Sequence, residues 1–212
     1  MAFAEHDLQE ILPGDLPNRD EVIAKSSRHL ELIEEANRQF NLTRITSPRE
    51  AAIKHVADSL LPWKLFAGAK TVLDIGSGAG FPGIPLAVVF PETQFTLAES
   101  IQKKARFLES AIEALQLSNV LVTSQRAEDL LKTERFDILT ARAVAPLSRA
   151  LGTFAPAWKP GVRALFYKGP DAETEIAEAT MEARKRQVRM RVAFEYGLPD
   201  ELGTRSIVEL AR

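Results

Sequence analysis

Three alternate glycines, Gly76, Gly78 and Gly80, follow the acidic Asp74 in the run DIGSGAG at 74–80. Glycine permits left-handed backbone dihedrals and lets a ligand come close where a Cβ would otherwise stand. By itself such a cluster reads as a tight turn. Here the apolar run TVLDI (71–75) precedes it and a helical pattern over 81–90 follows it, so the loop sits where a strand hands the chain to a helix. Glu99 ends the next apolar run, QFTLA (94–98), 19 positions after Gly80 (80 to 99). An acid so placed reaches a ribose and accepts hydrogen bonds from both hydroxyls. After a third run, NVLVT (119–123), come Ala127 and Glu128. A backbone N–H and a carboxylate there can read the edge of an adenine; alone, Glu128 would be a helix-start acid favoured by the dipole. Together these residues predict a nucleoside site.

The stretch Gly78–Gly83 also satisfies GxGxxG, so a dinucleotide is the competing ligand. Asp74 argues against a pyrophosphate, because negative charge before the loop suits a cationic sulfonium better. Pro82 and Pro85 remove backbone donors from the helix start, where a pyrophosphate needs them. The chain has no cysteine, and its three histidines (His6, His29, His55) all precede the glycine loop. The reading is S-adenosylmethionine, and the chemistry is methyl transfer.

The acceptor is narrowed by what is missing. Without cysteine there is no covalent route through a thiolate. The fourth strand ends in Thr140-Ala141-Arg142-Ala143, without the proline pair that accompanies amino methylation. An acceptor needing no deprotonation, such as a ring nitrogen, fits best, with positioning and electrostatics carrying catalysis. Arg142 and Lys168, each at the end of a strand, are placed to grip phosphate or a base edge. Arg142 has no carboxylate beside it in sequence, which argues against a simple surface ion pair. Two basic clusters, Lys103/Lys104/Arg106 and Arg184/Lys185/Arg186/Arg189/Arg191, are solvated faces by default. The second is dense enough to suggest a polyanion partner.

The elements that must position these groups are legible from periodicity. Five short β-rich runs (71–75, 94–98, 119–123, 136–141, 162–168) alternate with helical stretches, the clearest at 101–115 and 146–157. That alternation predicts an α/β fold: a Rossmann-like, mostly parallel, doubly wound sheet. A helix over 172–187 and strands over 192–197 and 205–210 complete it. Residues 1–66 read as an N-terminal helical extension and 67–212 as the methyltransferase domain. Within the extension, Val22, Ile23, Leu30, Ile33, Ala36 and Phe40 recur at helical spacing. A second helix is expected from Ser47, through Pro48 at its first position, to about Leu61, with Glu50 closing a capping box. A net charge of -2 gives no global pull toward nucleic acid. The N-terminus has no signal-peptide pattern and no apolar run approaches the ~20 residues of a membrane span, so a cytoplasmic location is expected.

With these residues in view the chain resembles the RsmG family, also called GidB, bacterial methyltransferases of guanine N7 in small-subunit (16S) ribosomal RNA. The resemblance covers nearly the whole chain. It rests on Asn41-Leu42-Thr43, His55-x-x-Asp58-Ser59, DIGSGAGFPGIPLA (74–87), Ala98-Glu99-Ser100 with Lys103-Lys104, Ala127-Glu128, Ala141-Arg142-Ala143 and Lys168-Gly169. It implies cofactor contacts at Gly76, Phe81, Ala127, Glu128 and Arg142, and active-site roles for Asn41, His55 and Ser59. It also implies small-subunit ribosomal RNA as partner, free or within an assembling 30S particle, and guanine N7, a lone pair without a proton, as the acceptor. A monomer using no metal and no membrane is expected. A small-molecule methyltransferase of the same fold and a non-catalytic RNA- or nucleotide-binding protein are the alternative readings.

Overall fold

The structure, a computed structural model, describes residues 5–45, 47–143 and 145–212. In chain order the elements are α1 (Glu5–Ile11), α2 (Arg19–Asn37), α3 (Pro48–Ala51), a π-helical segment (Ala52–Ala57), α4 (Asp58–Leu60), β1 (Thr71–Ile75), α5 (Gly83–Val89), β2 (Gln94–Ala98), α6 (Gln102–Ala114), β3 (Val120–Thr123), α7 (Ala127–Thr133), β4 (Ile138–Arg142), α8 (Leu147–Thr153), β5 (Arg163–Lys168), α9 (Ala172–Arg186), β6 (Arg189–Gly197) and β7 (Thr204–Ala211). The strands form one sheet in the order β3-β2-β1-β4-β5-β7-β6. β1 to β5 are parallel, and β7 runs antiparallel to both β5 and β6.

Alternation along each strand sends side chains into two cores. Val72, Phe95, Leu97, Ile138 and Leu165 face the core shared with α1, α2, α5 and α6. Leu73, Ile75, Leu139, Ala164 and Phe166 face the core under α7, α8 and α9. Both faces of the sheet are covered, which is why the parallel strands read as continuous apolar runs. The N-terminal helices belong to the first core: Leu8, Val22, Leu30, Ile53 and Leu60 are buried in it beside Phe81 and Ile84. No helix among the described residues is long and apolar enough to cross a membrane.

Three local expectations need correction. Ser47 stands at the N-cap of α3 with Pro48 behind it, but its side chain makes no capping bond. The capping box is therefore absent, and Glu50 instead accepts from Lys54 Nζ at 2.6 Å. The stretch 146–157 is not one helix: α8 stops at Thr153 and a separate 3-10 turn spans Ala155–Ala157. Pro156 has no N–H for the helical ladder, so the helix cannot run through it. Residues 48–60 form a continuous helical stretch, but with a π-helical middle. Such wide turns tend to mark functional positions, and this one carries His55 and leads directly to Asp58.

Candidate active site

β1 lies between β2 and β4, so the winding direction of the sheet reverses there. Open α/β sheets bind ligands outside the carboxyl ends of the strands at such a point. A cavity of about 540 Å³ opens there, walled by the 76–79 loop, Phe81, Arg142, Lys168 and Arg205. Leu42, Thr43, His55 and Asp58 from the N-terminal part close its other side. A second cavity of about 150 Å³ lies between Glu99, Ala127, Glu128 and Phe154. Gly76 borders both.

The glycines divide by role. Gly76 has φ +68°, and a Cβ built on it would meet nothing within 4 Å. Its open side is the junction of the two cavities. Gly78, at φ +60°, is nearly as open. Gly80, expected to contact the cofactor, lines neither cavity; a Cβ there would stand 2.5 Å from Ile84 Cδ1 and 3.1 Å from His29 Cε1. It lets the loop pack against α2 and α5. Glu99 is buried, with Oε2 accepting from the Gly78 N–H at 3.0 Å and Oε1 from the Ile101 N–H at 2.8 Å. These bonds fix the carboxylate and leave each oxygen a lone pair for ribose hydroxyls.

Asp74 is fully buried and lines neither cavity. Its Oδ2 accepts from the Gly83 N–H at 3.1 Å, stapling the end of β1 to the start of α5. Burial pushes its carboxyl up to about 7. Oδ1 has no partner among the described residues, a buried acceptor that costs stability until something donates to it. The open glycine cradle and the fixed Glu99 together fit a nucleoside donor.

Phe81 stacks with two histidines. His29 lies 4.7 Å from it at 29°, and His55, also at 4.7 Å, is nearly parallel at 7°. The Arg142 guanidinium sits 5.3 Å from the same ring. His29 donates from Nε2 to the Ala79 carbonyl at 2.8 Å. Burial lowers it to about 4. His55 is lowered to about 3 by burial first, then by the Arg142 charge. Its Nδ1 faces Arg142 Nη2 at 3.4 Å and its Nε2 faces Thr43 Oγ1 at 3.2 Å. Arginine only donates, so the Nδ1 of a neutral His55 accepts and Nε2 carries the proton. His29 and its stacking were not singled out from sequence, where a lone helix histidine has no distinguishing mark.

These groups set a pH dependence. Between about 6.5 and their folded values the unfolded chain protonates both histidines and the folded chain does not, so each contribution to stability is lost as pH falls. Asp74 opposes them, because its carboxyl is protonated in the folded state up to about 7 and ionised in the unfolded state above 3.8. Its contribution favours the fold at low pH. Two histidines outweigh one carboxyl by a single proton. Unfolding free energy is therefore expected to fall by about 1.4 kcal/mol per pH unit from 6.5 toward 4. Urea titrations at pH 7, 6 and 5 check this; a flat profile would mean that only one histidine stays neutral in the folded chain, and stability rising toward low pH would mean that neither does.

Arg142 is an ion-pair residue after all. Its Nη1 donates to the Lys54 carbonyl at 2.8 Å and to Asp58 Oδ2 at 3.1 Å. The carboxylate that sequence neighbours lacked comes from 84 residues upstream. Asp58 is buried, accepts the Tyr196 hydroxyl at 2.9 Å, and stands 3.7 Å from Arg205 Nε. One carboxylate thus joins the N-terminal helix to β4, β6 and β7. Lys168 lines the cavity but is only 7% exposed, and its Nζ donates to Glu175 at 2.7 Å and to the Ala145 carbonyl at 3.3 Å. Glu175 also accepts from the Leu147 N–H at 3.2 Å. Lys168 therefore clamps the loop after β4 and is not a free cation for phosphate.

Asn41 is exposed and off the cavity wall, whereas Leu42, Thr43 and Ile45 of the same loop line it. Ser59 is fully buried away from the cavity, donating to the His55 carbonyl at 2.5 Å, while its own carbonyl accepts from the Tyr167 hydroxyl at 2.8 Å. Both side chains are kept from the site: one by solvent exposure, the other by its bond back to the helix. The cluster at 184–191 also lies elsewhere. Arg189 and Arg163 both pair in register with Ala211, which puts the cluster level with the amino end of β5, opposite the cleft. Arg186 and Lys185 pair with Glu182, and Arg191 with Glu209.

The model of the family rRNA small subunit methyltransferase G (GidB) matches residues 22–198. "Ribosomal RNA small subunit methyltransferase G" of Solibacter usitatus is 67% identical over 210 residues, covering 99% of this chain and 100% of that protein. The protein so named from Leuconostoc citreum is 36% identical over 189 residues, covering 85% and 79%. Among solved structures, a precorrin-6y C5,15-methyltransferase from Geobacter metallireducens superposes with a TM-score of 0.58 at 13% identity, covering 85% of this chain and 98% of that one. Aeropyrum pernix fibrillarin with natively bound S-adenosyl-L-methionine gives 0.53 at 13% identity, covering 67% and 66%. At such identities the structures speak for the fold, a Rossmann-like methyltransferase sheet, and the sequence relatives speak for the family. With the model spanning most of the chain and the close relatives nearly all of it, this chain belongs to the rRNA small subunit methyltransferase G family.

Proposed function

We propose that the two cavities meeting at Gly76 form one active site, the smaller holding the nucleoside of the methyl donor and the larger receiving its methionine end and the target base. The activity follows from the family: the chain is an S-adenosylmethionine-dependent methyltransferase of small-subunit ribosomal RNA, acting on guanine N7. The observation that carries the site reading is the open cradle of Gly76 between the fixed carboxylate of Glu99 and the ring of Phe81. Glu99 would hold the ribose, and Ala127 and Glu128 would border the adenine.

When bound, the donor supplies an electrophilic methyl: the N7 lone pair forms a C–N bond as the S–C bond breaks, leaving a neutral thioether and a cationic purine. The protein is not asked to remove a proton. His55 is neutral with both nitrogens engaged, and Lys168 is paired. That leaves orientation and exclusion of water as the work of the residues. The reading is a monomer acting on ribosomal RNA or small subunits in the cytoplasm. The test is incubation with labelled S-adenosylmethionine and small subunits lacking the modification, followed by digestion of the RNA. Labelled 7-methylguanosine is expected, and cofactor binding without any label in RNA would overturn the reading.

A further inference from the structure

We infer that Thr43 selects guanine over adenine by donating a hydrogen bond to the base oxygen next to N7; this rests on the guanine-N7 reading above. The loop carrying Thr43 is built rigidly at the cavity wall. Asn37 Oδ1 accepts from the N–H groups of Leu42 and Thr43 at 2.8 and 3.0 Å, and its Nδ2 donates to the Thr43 carbonyl at 3.1 Å. Thr43 Oγ1 accepts from the Ile45 N–H at 3.2 Å and meets His55 Nε2 at 3.2 Å. Because the arginine side fixes the His55 tautomer, Nε2 donates, and the hydroxyl oxygen receives two hydrogen bonds. A threonine hydroxyl has two lone pairs and one proton. Both lone pairs are used, so in this setting Thr43 can only donate.

That restriction turns an indifferent group into a selective one. Guanine presents two acceptors side by side, N7 and O6, where adenine presents N7 and an amino donor. A free threonine would serve either base. One held as a pure donor suits O6 and leaves the adenine amino group unanswered in the cleft. The donor is also indexed to the glycine loop, since His55 stacks on Phe81. Fixing O6 orients N7 along the same base edge.

The test compares small subunits reconstituted with guanine or with 2-aminopurine, which lacks O6 but keeps N7, at the nucleotide the wild-type protein labels. Wild type is expected to use 2-aminopurine about tenfold less efficiently in kcat/KM than guanine, the size of one lost hydrogen bond. Thr43→Val also strands the Ile45 and His55 donors and so should slow both bases, but it should lower kcat/KM on guanine about tenfold more than on 2-aminopurine, erasing the preference. Thr43→Ser, which keeps the hydroxyl and both of its hydrogen bonds, should restore guanine preference and leave S-adenosylmethionine affinity unaltered. Equal losses of Thr43→Val on both bases would make the residue a structural support and overturn the inference. So would a wild-type protein indifferent to O6, a measurement that needs no variant. Failure of the guanine-N7 reading would show separately, as wild type leaving the guanine subunits unlabelled.

Discussion

Gly76→Asp is expected to weaken S-adenosylmethionine binding by at least about a hundredfold, or roughly 2.7 kcal/mol. The folded protein has room for the new side chain, because a Cβ at this position touches no protein atom within 4 Å. That room is the floor between the two cavities, so the cost falls on the ligand. Backbone strain is secondary: φ is +68°, a region that aspartate tolerates better than most residues. The substituted carboxylate would also join Glu99 and Asp74 at the same strand ends and repel the donor's own carboxylate. Calorimetric titration measures the affinity, and a thermal melt without ligand should stay within a few degrees of wild type. Unchanged affinity would mean that the donor does not cross the loop at Gly76. Gly80→Asp is a poor control, because a side chain there collides with Ile84 and His29.

That contrast shows what the chain declares locally and what it does not. The glycine loop, Glu99 and the Ala127–Glu128 pair are readable because strand, turn and helix start are neighbours in sequence. The strand-helix alternation is readable for the same reason. Gly76 and Gly80, by contrast, are indistinguishable as letters; His29, 51 residues before Gly80, makes one of them a packing glycine. No carboxylate neighbours Arg142 in sequence, whereas Asp58 arrives through the packing of the N-terminal helix. Lys168 looked free because Glu175 reaches it only when α9 folds back over the end of β5. Similarly, the dense basic run at 184–191 carried no sign of which sheet edge it occupies. That depends on the antiparallel return of β7, a matter of register rather than composition.

Arg142→Ala is accordingly expected to damage the fold as well as the reaction. The substitution strands Asp58 Oδ2 without its donor on a side chain only 7% exposed, and frees the Lys54 carbonyl. Removing one partner of such a buried pair costs about 3 kcal/mol, somewhat less where other donors remain. Here the Tyr196 hydroxyl still serves Asp58 Oδ1, and Arg205 stands nearby. For a chain of this length the loss corresponds to a fall in Tm of roughly 6–12 °C. The His55 tautomer also loses its determinant, so turnover measured well below the new Tm should fall further than stability alone explains. Asp58→Asn made on the Arg142→Ala background should recover part of the stability, because it removes the stranded charge. It should recover little of the turnover. A Tm within 2 °C of wild type with collapsed turnover would mean that the arginine acts on the substrate alone, and that the N-terminal helix is held to the sheet by its apolar contacts.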